Sequence, residues 1–367
     1  MKHIHAVGRV PFNRVHISLK WLLFGAVVGV AAFFIVNLSM ERIESPHFSA
    51  QLSAARLMAS CIAELSAFRE SLGIVIDPSV DPNLTGLIGP EFTELTTTLG
   101  NLQAKRTSTN PDFAALLVKY FKELDLKRGD PVAIGASGSF PSLLLATLCA
   151  CEVLELEPLV IYSIGASEHG ATHPEFTFVT MQERLVEVGL LKDSLIAVSL
   201  GGNYDTASGM FFPKARELMT EIALSSGKTF IYEESLQASI EKRLELYLEK
   251  SAGLPSVFVN IGGASTNFGN SHLALSLDNG VLTSFSSIPK GDERGLIFEF
   301  AELGVPVIHL LNIRDLAMEN GIPIDPVPLP EPGTSGVYFV DSYSLLLTLT
   351  FLFLMILCVV AGRVIKK

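Results

Sequence analysis

The chain has 367 residues, a net charge of −11 and a mean hydropathy of +0.41. A hydrophobic content of 49% is high for a soluble protein, so membrane-spanning segments are expected. The four cysteines form no C-x-x-C pair and have no metal-ligand spacing, which argues against a disulfide framework or a zinc site. They are interpreted as small buried hydrophobic residues.

Two apolar runs lie near the ends of the chain. A basic tail at 1–18 precedes the first run, 19–38, and a basic tail at 363–367 follows the second, 343–362. Each run is long enough to span a bilayer. A signal peptide is the alternative for the first run, but no A-x-A cleavage site follows it. By the positive-inside rule we expect two transmembrane helices in a cell membrane, both tails in the cytoplasm and an extracytoplasmic domain between them.

The charge between the apolar runs is strongly acidic. Residues 1–20 contribute +4 and residues 363–367 contribute +3, which leaves −18 for residues 21–362. A domain of this charge does not bind nucleic acid non-specifically and is repelled by anionic lipid surfaces. Nucleic acid is therefore excluded as a partner, and the lipid bilayer is contacted through the two apolar runs.

Residues 39–109 are predicted to form a membrane-proximal helix and a polar segment. An apolar stripe at helical spacing, typified by Met58, Ile62 and Leu65, indicates a helix over 48–72. The segment 83–109 is polar and rich in threonine. It carries two adjacent cations, Lys105 and Arg106.

Strands alternate with helices over 110–321, which predicts an α/β domain with a mainly parallel sheet and helices on both faces. Asn110-Pro111 is expected to start its first helix, and Thr180 with Glu183 reads as a capping box. Asp278-Asn279-Gly280 indicates a hairpin. The segment 322–342, with five prolines between 322 and 333, is interpreted as a stiff linker back to the membrane. Apolar runs typical of strands lie at 132–134, 160–164, 195–200, 257–261 and 305–309.

Four of these runs end in turns of glycine and small polar residues. Because the carboxyl ends of parallel strands meet at one edge of a sheet, we expect the turns to form one ligand crevice. Backbone N–H groups in such turns accept phosphate, carboxylate or an oxyanion. Alternatively, the glycines only let helices pack close to strands. The binding candidates are Gly135, Ser137, Gly138, Ser139, Ser167, Gly201, Asn203, Gly262 and Ser265, with Lys105 and Arg106 as cations for a carboxylate.

Ser137 is also a candidate nucleophile. The turn Gly135-Ala-Ser137-Gly-Ser139 approaches the G-x-S-x-G nucleophile elbow, but its last position is serine. His169 and Asp205 are the candidate base and acid, although nothing in the sequence selects them over other His and acidic residues. The alternative is that Ser137 only forms the turn.

Metal and nucleotide sites are not expected. The loop around His169 and His173 carries acidic neighbours, but Pro174 argues against a helix that would hold both imidazoles. No Walker sequence occurs, and an extracytoplasmic site would lack ATP. We therefore expect no metal and no cofactor.

Four stretches are similar to the poly-γ-glutamate system protein family, and the similarity covers about residues 50–330 together with the two-anchor layout. They are Leu87-Ile-Gly-Pro-Glu-Phe-Thr93, Thr96-Thr-Thr-Leu-Gly-Asn-Leu-Gln-Ala-Lys-Arg-Thr-Ser-Thr-Asn-Pro-Asp-Phe113, Gly138-Ser-Phe-Pro141 and Ser163-Ile-Gly-Ala-Ser167.

This resemblance implies an accessory role in making, exporting or retaining a capsule-type polymer in a bacterial cell envelope. It implies as partners the poly-γ-glutamate synthase ligase, the small membrane subunits and the polymer itself. It does not imply a catalytic residue. The charge of −18 would repel a polyanion, so the polymer needs a local positive patch or bridging cations, or else the domain contacts protein partners. The alternative function is a serine hydrolase or transferase acting on γ-glutamyl amide bonds.

Overall fold

A computed structural model describes residues 18–364, apart from the side chain of Asp292. The chain divides into two compact units. One unit combines the chain up to Glu44 with the chain from Phe339 onward, and the other is Ser45–Tyr338.

Within the described residues the helices are α1 (Leu19–Leu38), α2 (Phe48–Ser71), α3 (Leu102–Ser108), α4 (Asp112–Glu123), α5 (Pro141–Leu154), α6 (Phe178–Glu187), α7 (Ala215–Ser225), α8 (Leu236–Lys250), α9 (Ser265–Phe268), α10 (Leu296–Glu302), α11 (Ile313–Glu319) and α12 (Leu345–Val364). The strands are β1 (Glu41–Glu44), β2 (Thr96–Thr98), β3 (Pro131–Ser137), β4 (Glu157–Ser163), β5 (Ala166–Ser167), β6 (Leu195–Ser199), β7 (Thr229–Ile231), β8 (Val257–Ile261), β9 (Gly280–Leu282), β10 (Val307–Leu310) and β11 (Phe339–Ser342). Short 3-10 helices lie at His272–Ser276, Gly291–Glu293 and Gly336–Tyr338.

The first unit is built from the two ends of the chain. Its helices α1 and α12 are each 20 residues long and apolar enough to cross a membrane, as the sequence predicts. They pack against each other, and Ser18 N donates a hydrogen bond to Gly362 O, so the start of α1 lies beside the end of α12. Strands β1 and β11 pair antiparallel beyond the opposite ends of the two helices.

Small residues bring α1 and α12 close together. A Cβ built on Gly25 would lie 3.4 Å from Cys358 Cβ, and one built on Gly29 would lie 3.3 Å from Met355 Sδ. Residues four apart share one face of a helix, so Gly25 and Gly29 form the small-residue contact that apolar helices use to approach each other.

The second unit is an α/β domain, as predicted. Its main sheet is mixed and has seven strands in the order β7-β6-β4-β3-β8-β10-β9. The first six strands pair parallel, whereas β9 pairs antiparallel with β10 at the edge. The short strands β2 and β5 pair parallel in a separate two-stranded sheet.

Side chains on one face of the main sheet form a core with α8 and α10. Ala133, Ile161 and Phe258 belong to this core with Tyr247 of α8 and Phe300 of α10. Successive side chains of a strand point to opposite faces, so the buried neighbours of these strand residues face the other side. There α5 contacts β4 and packs with α2 and α4.

Three local predictions differ from the structure. The capping box is wrong, because Thr180 lies inside α6 and Thr177 is the N-cap residue. The hairpin at 278–280 is wrong, because a 3-10 helix precedes it and β9 pairs with β10 instead. The segment 83–109 is more ordered than its polar composition suggests, since it contains β2 and α3.

Candidate functional site

The turns after β3, β4, β6 and β8 surround one cavity of about 300 Å³, which we call the strand-end cavity. The segment from β2 to α3 closes its remaining side. Predicted site residues that line it are Lys105, Ser137, Ser139, Ser167, Gly201, Asn203, Asp205 and Ser265. The other lining residues are Thr97, Thr98, Leu99, Gly100, Asn101, Phe140, Ser163, Gly165, Gly202, Gly263 and Ala264.

Four predicted binding residues do not line the cavity. Gly135 lies inside β3, where an added Cβ would be 2.6 Å from Asn267 Oδ1. Gly262 has a positive φ of 77° and turns the chain after β8. The guanidinium of Arg106 forms a two-pronged ion pair with Asp325, at 2.8 and 2.6 Å.

The fourth of these residues, Gly138, is packed against the protein's own backbone. Its N–H donates to Ser163 O at 2.9 Å, and its carbonyl accepts a hydrogen bond from Ala171 N at 2.7 Å. A Cβ built there would lie 2.7 Å from Ile164 O. The absence of a side chain at Gly138 therefore serves the approach of two backbone segments and not the approach of a ligand.

Lys105 is the buried cation of the cavity, with only 2% of its surface exposed. Its ammonium donates hydrogen bonds to Ser139 O and, at 2.7 Å, to Ser167 Oγ. The same nitrogen lies 4.1 Å from the centre of the Phe140 ring, a cation–π distance. Three groups thus fix the end of a long side chain at the cavity wall.

Helix α3 carries Lys105 and is held at both ends. The side chain of Asn101 caps its start by accepting a hydrogen bond from Ala104 N at 2.9 Å. Ser108 at its last position shares a 2.5 Å hydrogen bond with Ser142 of α5. Neighbouring residues on a helix point about 100° apart, which is why Lys105 faces the cavity while Arg106 faces Asp325.

Burial lowers the pKa of Lys105 to about 7, because removing the ammonium from water disfavours its charged form. The carboxylate of Glu168 opposes this shift by its negative charge. Glu168 is itself buried and accepts a hydrogen bond from Gly100 N at 2.9 Å. Near neutral pH both forms of Lys105 are therefore populated, and the neutral form can accept a proton.

Serine hydroxyls in the cavity have distinct partners. Ser139 Oγ accepts a hydrogen bond from Ser167 N at 3.0 Å, and Ser137 Oγ accepts a long one from Ser139 N at 3.4 Å. Ser265 Oγ donates to Gly202 O at 3.1 Å. Among the cavity hydroxyls in the described chain, only Ser167 Oγ contacts the ammonium of Lys105.

Asp205 lies at the base of the cavity in a buried ion pair. Its Oδ2 is 2.9 Å from Arg243 Nη2, and the two side chains are 3% and 1% exposed. Oδ1 accepts hydrogen bonds from Ser199 Oγ at 2.7 Å and Gly201 N at 3.0 Å, and Oδ2 accepts one from Ser239 Oγ at 2.7 Å. These bonds hold the turn after β6 in place and occupy the carboxylate.

The structure does not bring the three catalytic candidates together. His169 does not line the cavity, and its Nδ1 lies 3.3 Å from Gly89 O. Within residues 18–364 no hydrogen bond joins His169 to Ser137 or to Asp205. A Ser-His-Asp arrangement is therefore not formed, and Lys105 is the potential base that lies in the cavity.

Three cavity-lining backbone groups are available to a ligand. The N–H groups of Gly202, Gly263 and Ala264 make no hydrogen bond to another group in the described part of the chain. Each of these residues is at least partly exposed at the cavity surface. Free donors beside a cation suit an anion, because they need no rearrangement to bind one.

Sequence reasoning missed Arg243 and the pairing of Lys105 with Ser167. Arg243 belongs to the long charged helix α8, whose pattern gives no sign that one of its cations is buried. The sequence signal available for Lys105 was its place four residues after Asn101, a residue type that often starts a helix, in a segment with few apolar residues.

Searches of family models, of curated proteins and of solved structures gave no match to this chain. The geometry of the strand-end cavity is therefore the main basis for an assignment.

Proposed function

We propose that the chain is a membrane-anchored accessory component of poly-γ-glutamate biosynthesis, export or retention. In this proposal its α/β domain lies outside the cytoplasm and binds carboxylates of the polymer or of glutamate in the strand-end cavity. The observation that carries it is the set of anion donors there, namely Lys105 and the free N–H groups of Gly202, Gly263 and Ala264.

The charge distribution supports a local anion site in an acidic domain. Among the residues lining the cavity, only Lys105 and Asp205 carry ionisable side chains. Asp205 is paired with Arg243, so protonated Lys105 is the lining charge that forms no ion pair in the described chain, and the Glu168 carboxylate offsets part of its charge.

The positions of the family-like stretches give further support. Segments from 96–113, 138–141 and 163–167 each contribute residues to the lining of the cavity. These are three of the four stretches that resemble poly-γ-glutamate system proteins. A resemblance concentrated around one cavity favours a role for that cavity in the function that the resemblance implies.

The arrangement of α1 and α12 supports the proposed topology. Because Ser18 bonds to Gly362, the outer ends of both apolar helices lie together, where the basic tails begin. Tails that share one side of a membrane fit the positive-inside rule with both in the cytoplasm. The ligase and the small membrane subunits of the polymer machinery are the proposed protein partners.

Calorimetric titration of the full-length protein in detergent micelles with tri-γ-glutamate tests the proposal. We expect saturable binding to the wild type and to Lys127→Met, an exposed lysine that serves as control. Lys105→Met should weaken binding at least about tenfold, since it removes the ammonium that the cavity offers to a carboxylate and a hydrogen bond to a charged group contributes about 1.5–3 kcal/mol. Absence of binding to the folded wild type, or equal binding to a folded Lys105→Met, would refute the proposal.

A further inference from the structure

We propose that Ser167 is a nucleophile for acyl transfer on amide bonds and that Lys105 is its general base. The juxtaposition that carries the inference is the 2.7 Å contact between Lys105 Nζ and Ser167 Oγ in the wall of the strand-end cavity. The inference rests on the proposed function for its substrate class, which is an amide whose acyl part bears a carboxylate, such as a γ-glutamyl amide.

The geometry selects Ser167 over the other serines of the cavity. A serine becomes a nucleophile when a base within hydrogen-bond distance takes its proton. Ser167 Oγ meets this condition, whereas Ser137 and Ser139 accept hydrogen bonds from backbone N–H groups. Ser167 is half-buried and lines the cavity in which a substrate would bind.

Ser139 positions both partners. Its carbonyl accepts a hydrogen bond from Lys105 Nζ, and its hydroxyl accepts one from Ser167 N at 3.0 Å. The preceding residue, Gly138, is itself held by two backbone hydrogen bonds, because its N–H donates to Ser163 O and its carbonyl accepts from Ala171 N. The base and the nucleophile are thus held against one short turn after β3, which is the pre-organisation that a proton transfer requires.

Burial keeps Lys105 suitable for this role. Its pKa of about 7 leaves a large fraction neutral near neutral pH, with a lone pair available to Ser167. Glu168 is the charged group that acts on Lys105, and Asp205, which is paired with Arg243, lines the same cavity. Glu168 keeps the protonated form accessible, so Lys105 can also return the proton.

The reaction balances with water or an amine as the second substrate. Ser167 Oγ bonds to the amide carbon as its proton passes to Lys105, and the carbonyl electron pair moves to oxygen. The C–N bond then breaks, and Lys105 protonates the leaving amine, which gives an ester on Ser167. Water or an acceptor amine attacks the ester and loses a proton to Lys105, which returns it to Ser167 as the C–O bond breaks.

A fluorophosphonate probe on the full-length protein in detergent micelles tests the nucleophile. Attack by Ser167 forms an O–P bond, releases fluoride and transfers the hydroxyl proton to Lys105. We expect peptide mass mapping to find the phosphonyl group on Ser167 in the wild type and in two controls, Ser225→Ala and Lys127→Met, which change exposed residues outside the cavity lining.

Lys105→Met should slow labelling at least about 100-fold, the usual contribution of a general base. In the wild type the labelling rate should rise with pH around a midpoint near 7, which a purely structural lysine would not produce. Failure of the folded wild type to label Ser167, or a rate that is independent of Lys105, would overturn the inference.

The substrate class is tested by incubating the wild type and Ser167→Ala with tri-γ-glutamate and analysing products by mass spectrometry. Shortened or transferred γ-glutamyl products that require Ser167 support the class, and labelling without such products overturns it. Calorimetric binding of tri-γ-glutamate without labelling would refute the Ser167 inference and leave the proposed function standing. Labelling without binding would refute the proposed function instead.

Discussion

Arg243 reaches from α8 to Asp205 beneath the strand-end cavity, and its Nη2 lies 2.9 Å from Asp205 Oδ2. Both side chains are almost completely buried, and the carboxylate also accepts hydrogen bonds from Ser199, Ser239 and Gly201 N. The pair therefore connects a helix on one face of the sheet to the turn that forms part of the cavity floor.

Removing one member of this pair should be costly. Arg243→Met leaves Asp205 buried without its counter-charge, so we expect the free energy of unfolding to fall by about 3–5 kcal/mol. Urea unfolding of the full-length protein in detergent micelles measures the change. The control is Arg184→Met, which removes a partly exposed ion pair with Glu64 and should cost about 1 kcal/mol or less. Equal losses in the two variants would contradict the prediction.

Replacement by alanine should lower the stability at Gly138 but not at Gly263. Gly138→Ala places a Cβ 2.7 Å from Ile164 O, so we expect destabilisation by about 1–3 kcal/mol from overpacking. Gly263→Ala meets no atom closer than 3.9 Å and should leave the thermal midpoint nearly unchanged. Differential scanning calorimetry on both variants checks the contrast, and a stable Gly138→Ala protein would show that the turn can shift.

Lys105 should make stability depend on pH in a defined window. Below about pH 7 the ammonium is charged in the folded and unfolded chain, and its burial destabilises the fold. Between about 7 and 10.4, the usual lysine pKa, the unfolded chain holds one more proton, so stability rises with pH by up to about 1.4 kcal/mol per unit. Lys105→Met should lose this contribution. Urea unfolding of both proteins at pH 6, 7, 8 and 9 gives the slopes, and identical slopes would contradict the lowered pKa.

Cys149 and Cys151 should be unreactive in the folded protein. Both are fully buried, and burial raises the pKa of each thiol because the thiolate is disfavoured away from water. We expect a water-soluble maleimide to modify them only after urea unfolding, as judged by peptide mass mapping. An introduced exposed thiol, Ser225→Cys, should react at once under the same conditions. Rapid modification of the two native thiols in the folded chain would contradict the buried positions.

The proposed topology predicts from which side of the membrane a reagent can reach the α/β domain. An impermeant maleimide added to intact cells should label the exposed Ser225→Cys position, because the domain is proposed to lie outside the cytoplasm. A reporter that is active only outside the cytoplasm should be inactive when fused after Lys367. Labelling only after the cells are permeabilised, together with an active reporter, would contradict the proposed orientation and indicate the opposite one.

From the sequence, only the part of the site that is formed by the strand-end turns could be predicted. Ser137, Ser167 and Gly201 follow apolar strand runs, and the rule that parallel strands share an edge is enough to group them. The segment that supplies Lys105 was harder to place, since β2 and β5 are two to three residues long and leave no periodic pattern. Arg243 could not be identified, because its burial depends on Asp205, which is 38 residues away in sequence.

Fold prediction failed where local patterns competed with long-range pairing. Thr180 and Glu183 have the spacing of a capping box, yet α6 already starts at Phe178, whose side chain is buried. The Asp278-Asn279-Gly280 turn suggests a local hairpin, but the open edge of β10 pairs with β9. In both cases tertiary contacts determined the boundary, and these are not visible in a short window of sequence.

The pairing of β1 with β11 also constrains the order in which the molecule is made. Strand β1 is synthesised almost 300 residues before its partner, so its edge stays open while the whole of Ser45–Tyr338 is produced. The α1–α12 contact is delayed in the same way. Closing so long a loop costs less entropy once the intervening chain is compact, and the two ends can pair only after Phe339–Ser342 has been made. A ribosome that stalls before Phe339 would therefore leave an α/β domain attached through one helix, with an unpaired strand beside it.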